Sequence, residues 1–231
     1  MENAIRSAHL RTAVYELFGR ILSAPDPEHG RRALQIAFTL GRIESLPAGL
    51  RRRFGEFTDT LARLGLNEIE RDWQETFGLT DGGPFSLCES EYGMAHIFQK
   101  SNRLADISGF YRAFGVEPRA GAERPDHLSV EFEFLSFLAA KEAHALLENR
   151  TDRAEVSREA ERMFLSDHTG HFCVGLFKRL VDGQGFYASV SRLGLEAIEW
   201  IFSQLSISEP CQAALAGAMG PEEPMQCGGC R

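Results

Sequence analysis

Apolar side chains recur every three to four residues along most of this 231-residue chain, a spacing typical of amphipathic helices. Breaks that contain Pro or Gly separate the periodic stretches, and we find no convincing alternating strand and no internal repeat. The pattern predicts helices over residues 10–21, 33–40, 50–64, 67–77, 94–114, 126–147, 154–164, 168–181 and 186–206. We therefore predict an all-α fold, a compact bundle of about eight to ten helices.

Residues 1–208 are predicted to form a single helical domain, because a chain of this length can bury a sizeable core. Its 17 Phe against two Trp and four Tyr predict a core built largely from Phe and Leu. Residues 209–231 differ, since they are mostly Ala, Gly, Pro and Glu and offer few side chains that could fill a core. We predict that they form a flexible tail, which carries the sequence Cys-Gly-Gly-Cys near its end.

The charge balance narrows the range of partners. A net charge of −8 argues against a nucleic-acid-binding protein, because phosphate contacts need clustered Lys and Arg. It fits a positively charged partner. The sequence has no stretch of roughly 20 apolar residues, the length that a membrane-spanning helix needs, and no recognisable signal peptide. We therefore expect no stable membrane insertion and a cytoplasmic location.

The stretch AERPDHLSVEFEF, residues 122–134, concentrates polar groups directly before a strongly apolar helix. Asp126 is placed to accept hydrogen bonds from the first amides of that helix as its N-cap. His127 and Glu131 are four residues apart and could pair on the helix surface, and Glu123 could approach the same imidazole. Two neighbouring carboxylates favour the charged form of a histidine. A helix cap with a surface ion pair is the simple alternative to a functional site.

Five short motifs occur in order along the chain. They are Glu123-x-Pro125-Asp126-His127, PFSLCESEY at Pro84–Tyr92, Tyr111-x-x-Phe114-Gly115, Phe164-x-x-x-His168 and Phe186-Tyr187. Together they resemble the TorD/DmsD/NarJ family, whose members are dedicated cytoplasmic chaperones for complex iron–sulfur molybdoenzymes. The resemblance extends over most of residues 10–205.

The resemblance implies an all-helical chaperone, monomeric or dimeric, that has no enzymatic activity and no cofactor. Its partner would be the catalytic subunit of a molybdoenzyme of the DMSO-reductase type. The chaperone would bind the twin-arginine leader peptide or the body of that subunit and delay its export until the molybdenum cofactor is inserted. The predicted peptide-binding residues are Ser90, Tyr92, Glu123, Pro125, Asp126, His127 and Glu131.

Physical chemistry is compatible with this site. Carboxylates bind guanidinium groups through paired hydrogen bonds, and an apolar groove between helices can hold the hydrophobic part of a leader. Arg124 lies inside the motif, so either this side chain points away or the charge argument for an arginine-binding site weakens.

Two other groups of residues could carry chemistry. Cys227 and Cys230 form a C-x-x-C pair that could bind a metal ion or act as a mobile dithiol. One pair supplies only two ligands, and Cys88 or Cys211 would have to add more. The tail could also hand over metal or contact the client.

His168 and His171 have the spacing of a metal-binding pair, although a helix cap at Asp167 with partly buried histidines explains the same residues. A metal-binding protein or metal carrier, which could also use His127, Glu123 and Glu131, therefore stays an alternative to the chaperone. A generic helical adaptor is the third interpretation.

Overall fold

Helices account for nearly all of the structure. The computed structural model describes residues 1–78, 84–92, 97–117 and 123–208, and within these ranges the chain forms nine α-helices and no strand. They are α1 (Glu2–Ile21), α2 (Pro27–Leu40), α3 (Ala48–Arg63), α4 (Leu66–Phe77), α5 (Ile97–Ala113), α6 (Leu128–Leu147), α7 (Thr151–Phe164), α8 (Gly170–Leu180) and α9 (Phe186–Leu205). The predicted all-α fold is confirmed, while the predicted tail, residues 209–231, lies outside the described residues.

The start of α2 shows how a cap lengthens a helix beyond its apolar stretch. The Asp26 carboxylate accepts hydrogen bonds from the backbone N–H groups of Glu28 (2.7 Å) and His29 (3.0 Å), and Pro27 occupies the first helical position. An acidic N-cap followed by Pro is a favoured helix start. The prediction of a start near residue 33 is therefore wrong by six residues, because we interpreted the Pro-Asp-Pro sequence only as a break.

The core is built around α1 and α6, which pack along each other more extensively than any other pair of helices. Phe18 of α1 contacts Phe132 of α6, with ring centroids 5.3 Å apart, and Phe177 of α8, at 5.9 Å. Phe134, also on α6, packs on Phe164 of α7 at 5.0 Å. Each of these rings is buried. The Phe-rich core expected from composition is thus confirmed, and α6 holds its centre.

The break expected between α7 and α8 does not exist. Residues Leu165–Thr169 form one π-helical turn, which joins the two helices into a continuous stretch from Thr151 to Leu180. The N–H group of Gly170 bonds to the carbonyl oxygen of Leu165, and a Cβ atom at this glycine would lie only 2.4 Å from that oxygen. Gly170 therefore permits the wider turn, although a glycine in such a sequence usually indicates a helix end.

A buried ionic network ties α1 to α6 and α7. Arg11 is fully buried, and its Nε donates to Glu161 Oε1 at 2.8 Å while its Nη2 donates to Glu142. The hydroxyl of Tyr15 donates to the same Glu161 oxygen at 2.8 Å. Burying charges is costly, and the cost is offset only when every charge has partners. This network therefore holds the three helices in one register, and removing any of its side chains would lower the stability of the fold.

We predict that Arg11→Met destabilises the fold by about 3–5 kcal/mol, because it leaves the Glu161 carboxylate buried without its cation and removes one of the two arginines that pair with Glu142. Urea unfolding followed by circular dichroism measures the change. The matched control is Arg6→Met, which removes an exposed ion pair with Glu2 on the same helix and should cost at most about 1 kcal/mol. Equal losses in the two variants would contradict the structural role of the network.

Candidate functional site

Backbone pairing brings two of the predicted motifs together. The N–H group of Glu89 donates to the carbonyl oxygen of Asp126 (2.9 Å), and the N–H group of Leu128 donates to that of Leu87 (2.8 Å). These bonds flank a single antiparallel bridge between Cys88 and His127. The loop that carries Ser90 is therefore fixed against the segment directly before α6, where Asp126 lies 36 residues after Ser90.

Asp126 bonds to that loop and does not cap α6. Its side chain is fully buried, and its Oδ2 accepts a hydrogen bond from the backbone N–H of Ser90 at 3.0 Å. The N-cap of α6 is His127, whose Nδ1 accepts from the N–H of Ser129 at 3.3 Å. The predicted cap at Asp126 is therefore wrong, because the bridge turns this carboxylate away from the helix amides.

Arg124 points into the site, contrary to what the sequence argument required. Its Nε and Nη2 donate to the two carboxylate oxygens of Asp126, each at 3.1 Å. Its Nη2 also donates to Ser90 Oγ (2.6 Å), and its Nη1 donates to Glu91 Oε1 (2.7 Å). We call the side chains of Ser90, Glu91, Arg124 and Asp126 the polar corner. The corner already holds a guanidinium group, which belongs to the chain itself.

His127 is buried and neutral. Burial lowers the pKa of its imidazole, and the nearby carboxylates of Glu123 and Asp126 do not offset this effect. Its Nδ1 lies 2.7 Å from the hydroxyl oxygen of Ser129. The predicted charged form is therefore wrong, because desolvation outweighs the attraction of the carboxylates at this position. The imidazole supports the start of α6.

Glu131 does not pair with His127. It is fully buried, and neither of its carboxylate oxygens makes a hydrogen bond to any described residue. Burial raises its pKa well above the ordinary value, and the neighbouring Glu89 raises it further. The expectation of a surface ion pair is wrong, because the i,i+4 spacing places two residues on one helix face but does not say whether that face is buried. Burial therefore favours the protonated form of Glu131 in the folded protein.

A second polar cluster adjoins the corner, and its main member was not predicted from the sequence. Glu89 is buried, and its Oε2 lies 3.2 Å from Nδ1 of His168, while its Oε1 lies 3.5 Å from Nη1 of Arg103. The Nε2 of His168 lies 3.4 Å from Asp106 Oδ2. The available signal was the pair of glutamates flanking Ser90 in the sequence ESE. Since π-turns are frequent at functional sites, the turn that carries His168 is a second structural indication.

Neither the metal pair nor the cap predicted around His168 is present. Asp167 lies within the π-turn of a continuous helix and caps nothing. Within the described ranges, no three His, Cys, Asp or Glu side chains are grouped so that they could hold a metal ion. Cys211, Cys227 and Cys230 lie outside the described residues, so the tail stays a prediction.

Tyr92 and Pro125 use their polar groups internally. The Tyr92 hydroxyl donates to the carbonyl oxygen of Ser86 (2.7 Å) and accepts from its N–H (2.8 Å), and its ring packs on Phe172. The carbonyl oxygen of Pro125 accepts from the hydroxyl of Tyr111 at 2.7 Å. Both residues therefore shape the loops that present the polar corner. Of the seven predicted peptide-binding residues, Glu123 is the most open to solvent.

The described helices include none that is long and apolar enough to cross a membrane.

The fold is shared with a crystal structure assigned to a redox enzyme maturation protein from Archaeoglobus fulgidus, which matches 81% of this chain and 93% of its own with a TM-score of 0.54. At 19% identity, this likeness shows the fold alone.

The sequence comparisons are more specific. Residues 43–178 match the family model of the nitrate reductase delta subunit. A perchlorate reductase assembly chaperone protein from Dechloromonas aromatica (strain RCB) is 41% identical over 170 residues, which cover 68% of this chain and 72% of that protein. The chain therefore belongs to the nitrate reductase delta subunit family, and the resemblance to the TorD/DmsD/NarJ chaperones is confirmed.

The protonated state of Glu131 predicts a pH dependence of stability. As pH rises past the ordinary value of 4.5, the unfolded chain releases this proton while the folded protein keeps it, so the wild type loses stability. Glu131→Gln removes that loss. We expect the free energy of unfolding of the variant, relative to the wild type, to increase from about pH 5 to about pH 7 by up to about 1.4 kcal/mol per pH unit.

Urea unfolding at a series of pH values measures this trend. Glu133→Gln is the matched control, since Glu133 is exposed on the same helix, and its difference from the wild type should not grow in this way. A constant offset for Glu131→Gln across the pH range would show that the carboxyl is ionised in the folded protein.

Proposed function

We propose that this protein is a cytoplasmic chaperone that assists the assembly of a molybdenum-cofactor oxidoreductase of the DMSO-reductase type before export. Membership of the nitrate reductase delta subunit family supports this proposal. A relative at 41% identity that is a perchlorate reductase assembly chaperone supports it further. In this function the protein binds an unfinished enzyme subunit and performs no chemistry on it.

We further propose that the polar corner and the neighbouring Glu123 receive the paired arginines of the subunit's leader peptide. The observation that carries this proposal is the hydrogen bonding around Arg124, because Ser90, Glu91 and Asp126 bind a guanidinium group through four hydrogen bonds. Charged, forked hydrogen bonds of this kind are strong and selective for arginine. The second arginine would meet the exposed Glu123 carboxylate.

The predicted site residues then divide into two groups. Glu123 and Glu91 reach solvent and can contact a peptide directly. Asp126, His127 and Glu131 are buried, so they determine the shape and charge of the site from the protein interior without contacting the peptide. This division explains why a motif needed for recognition can lie largely inside the protein.

A groove of mixed lining offers some apolar contacts to the hydrophobic part of a leader. It has a volume of about 360 Å³, and Ala113, Phe114 and Val156, which is 62% exposed, line it together with Lys141, Asp152, Arg153 and Ser157. Tyr111 joins this groove to the corner, since its hydroxyl bonds to the carbonyl of Pro125 and its ring lies 4.7 Å from that of Phe134, on which Phe114 packs. Paired arginines and an apolar stretch in one extended peptide could occupy both places.

Binding of a synthetic twin-arginine leader peptide, measured by isothermal titration calorimetry, tests the site. Glu123→Gln should weaken binding about three- to tenfold, since one partly exposed ion pair contributes about 1 kcal/mol. High salt should weaken binding without abolishing it, because screening acts on the charges and leaves the apolar contacts. Glu70→Gln, an equal charge change on an exposed position of α4, is the control. Equal affinities for both variants would show that Glu123 does not contribute to peptide binding.

Deleting the gene in its host tests the chaperone function itself. We expect the client oxidoreductase to accumulate without its molybdenum cofactor, because assembly precedes export in the proposed function. Metal analysis of the purified enzyme measures the loss, and the wild-type gene supplied on a plasmid should restore the metal content. A fully loaded and active enzyme in the deletion strain would contradict the proposal.

A further inference from the structure

The polar corner holds an arginine of its own chain in the place where a foreign arginine is proposed to bind. Arg124 uses its Nε, Nη1 and Nη2 atoms at once, and these reach both oxygens of Asp126, the hydroxyl of Ser90 and one oxygen of Glu91 at 2.6–3.1 Å. This is the forked arrangement that only a guanidinium group can fill completely. We call the Ser90, Glu91 and Asp126 side chains that surround it the guanidinium pocket.

The residues of the pocket are fixed by their neighbours, whereas the Arg124 side chain that fills the pocket is partly exposed. Asp126 is fully buried, its Oδ2 accepts from the backbone N–H of Ser90, and the bridge between Cys88 and His127 fixes both segments. The Arg124 side chain lies on the solvent side of the pocket and is 37% exposed. Arg124 can therefore leave into water by side-chain rotation alone, while the pocket keeps its shape.

Departure of Arg124 leaves a buried carboxylate without its cation, and this is strongly unfavourable. The cost disappears when another guanidinium group enters as Arg124 leaves. An ammonium group replaces the charge but not the fork, since it donates from a single point. The pocket therefore selects for arginine over lysine in whatever displaces the resident side chain.

We propose that the guanidinium pocket is an exchange site, in which an arginine of the incoming polypeptide displaces Arg124. This inference rests on the proposed function as a leader-binding chaperone. It adds which atoms bind the incoming arginine and which side chain competes with it. The resident arginine lowers the apparent affinity, because only the fraction of molecules with an open pocket can bind. It also keeps Asp126 paired, and the fold intact, while no client is bound.

The Arg124→Gln variant tests the exchange, because it removes the competitor and leaves the pocket residues in place. We expect a twin-arginine peptide to bind this variant about tenfold tighter than the wild type, since the cost of displacement is gone. A peptide with lysines in place of both arginines should bind each of these proteins more weakly, because an ammonium group cannot fill the fork. The control is Arg71→Gln, which changes the net charge equally at an exposed position of α4 and should leave both affinities nearly unchanged.

Thermal unfolding in millimolar N-methylguanidinium tests the pocket without any peptide. This ion should raise the melting temperature of Arg124→Gln more than methylammonium does, and neither ion should distinguish Arg71→Gln from the wild type. If Arg124→Gln does not fold, Arg124→Lys replaces it. That variant keeps the charge but loses the fork, so the peptide should bind about threefold tighter than to the wild type.

The outcomes separate this inference from the function on which it rests. Tighter, arginine-selective peptide binding together with stabilisation by N-methylguanidinium supports the exchange. Equal or weaker peptide binding by the Arg124 variants, with clear binding by the wild type, overturns the exchange and leaves leader binding intact. Absence of peptide binding by every variant and by the wild type overturns both.

Discussion

A buried carboxylate must be paired, and the polar corner depends on how Asp126 meets that requirement. Its charge is satisfied by a backbone N–H group from a loop 36 residues earlier in the chain and by the guanidinium group of Arg124. The bridge between Cys88 and His127 brings the loop within reach. The position of the loop and the start of the helix are therefore coupled through one side chain, and Arg124 pairs with that side chain from the solvent side.

The helices could be predicted from the sequence because each has a continuous apolar face. Their ends were less predictable, since the same residues can end one helix or begin the next. At Asp26 and Pro27 we saw only an end, although the carboxylate caps α2. Between residues 164 and 168 we predicted a break, although Gly170 admits a π-turn that joins the two helices. Local chemistry allows both outcomes in each case, and packing against the rest of the bundle decides between them.

The candidate site was predictable as a list of residues but not as an arrangement. Residue order related Ser90 to Asp126 through the family resemblance, and the structure places them in hydrogen-bond contact. Spacing suggested a surface pair of His127 and Glu131, yet both are buried. The burial of this edge of α6 depends on its packing against α1 and α7, and the i,i+4 spacing of the two residues does not encode it. The orientation of Arg124 depends in the same way on a loop that is distant in sequence.

The π-turn at Leu165–Thr169 gives this segment one residue more than an α-helical path between the same two helices would contain. Each residue rotates an α-helix by about 100°, and the wider turn absorbs that rotation, so Phe172, Cys173 and Leu176 keep their buried side. A deletion within the turn would restore the α-helical path and leave α8 in phase, whereas a deletion inside α8 would rotate the residues after it away from the core. The cost of shortening the turn would instead fall on the contact of His168 with Glu89.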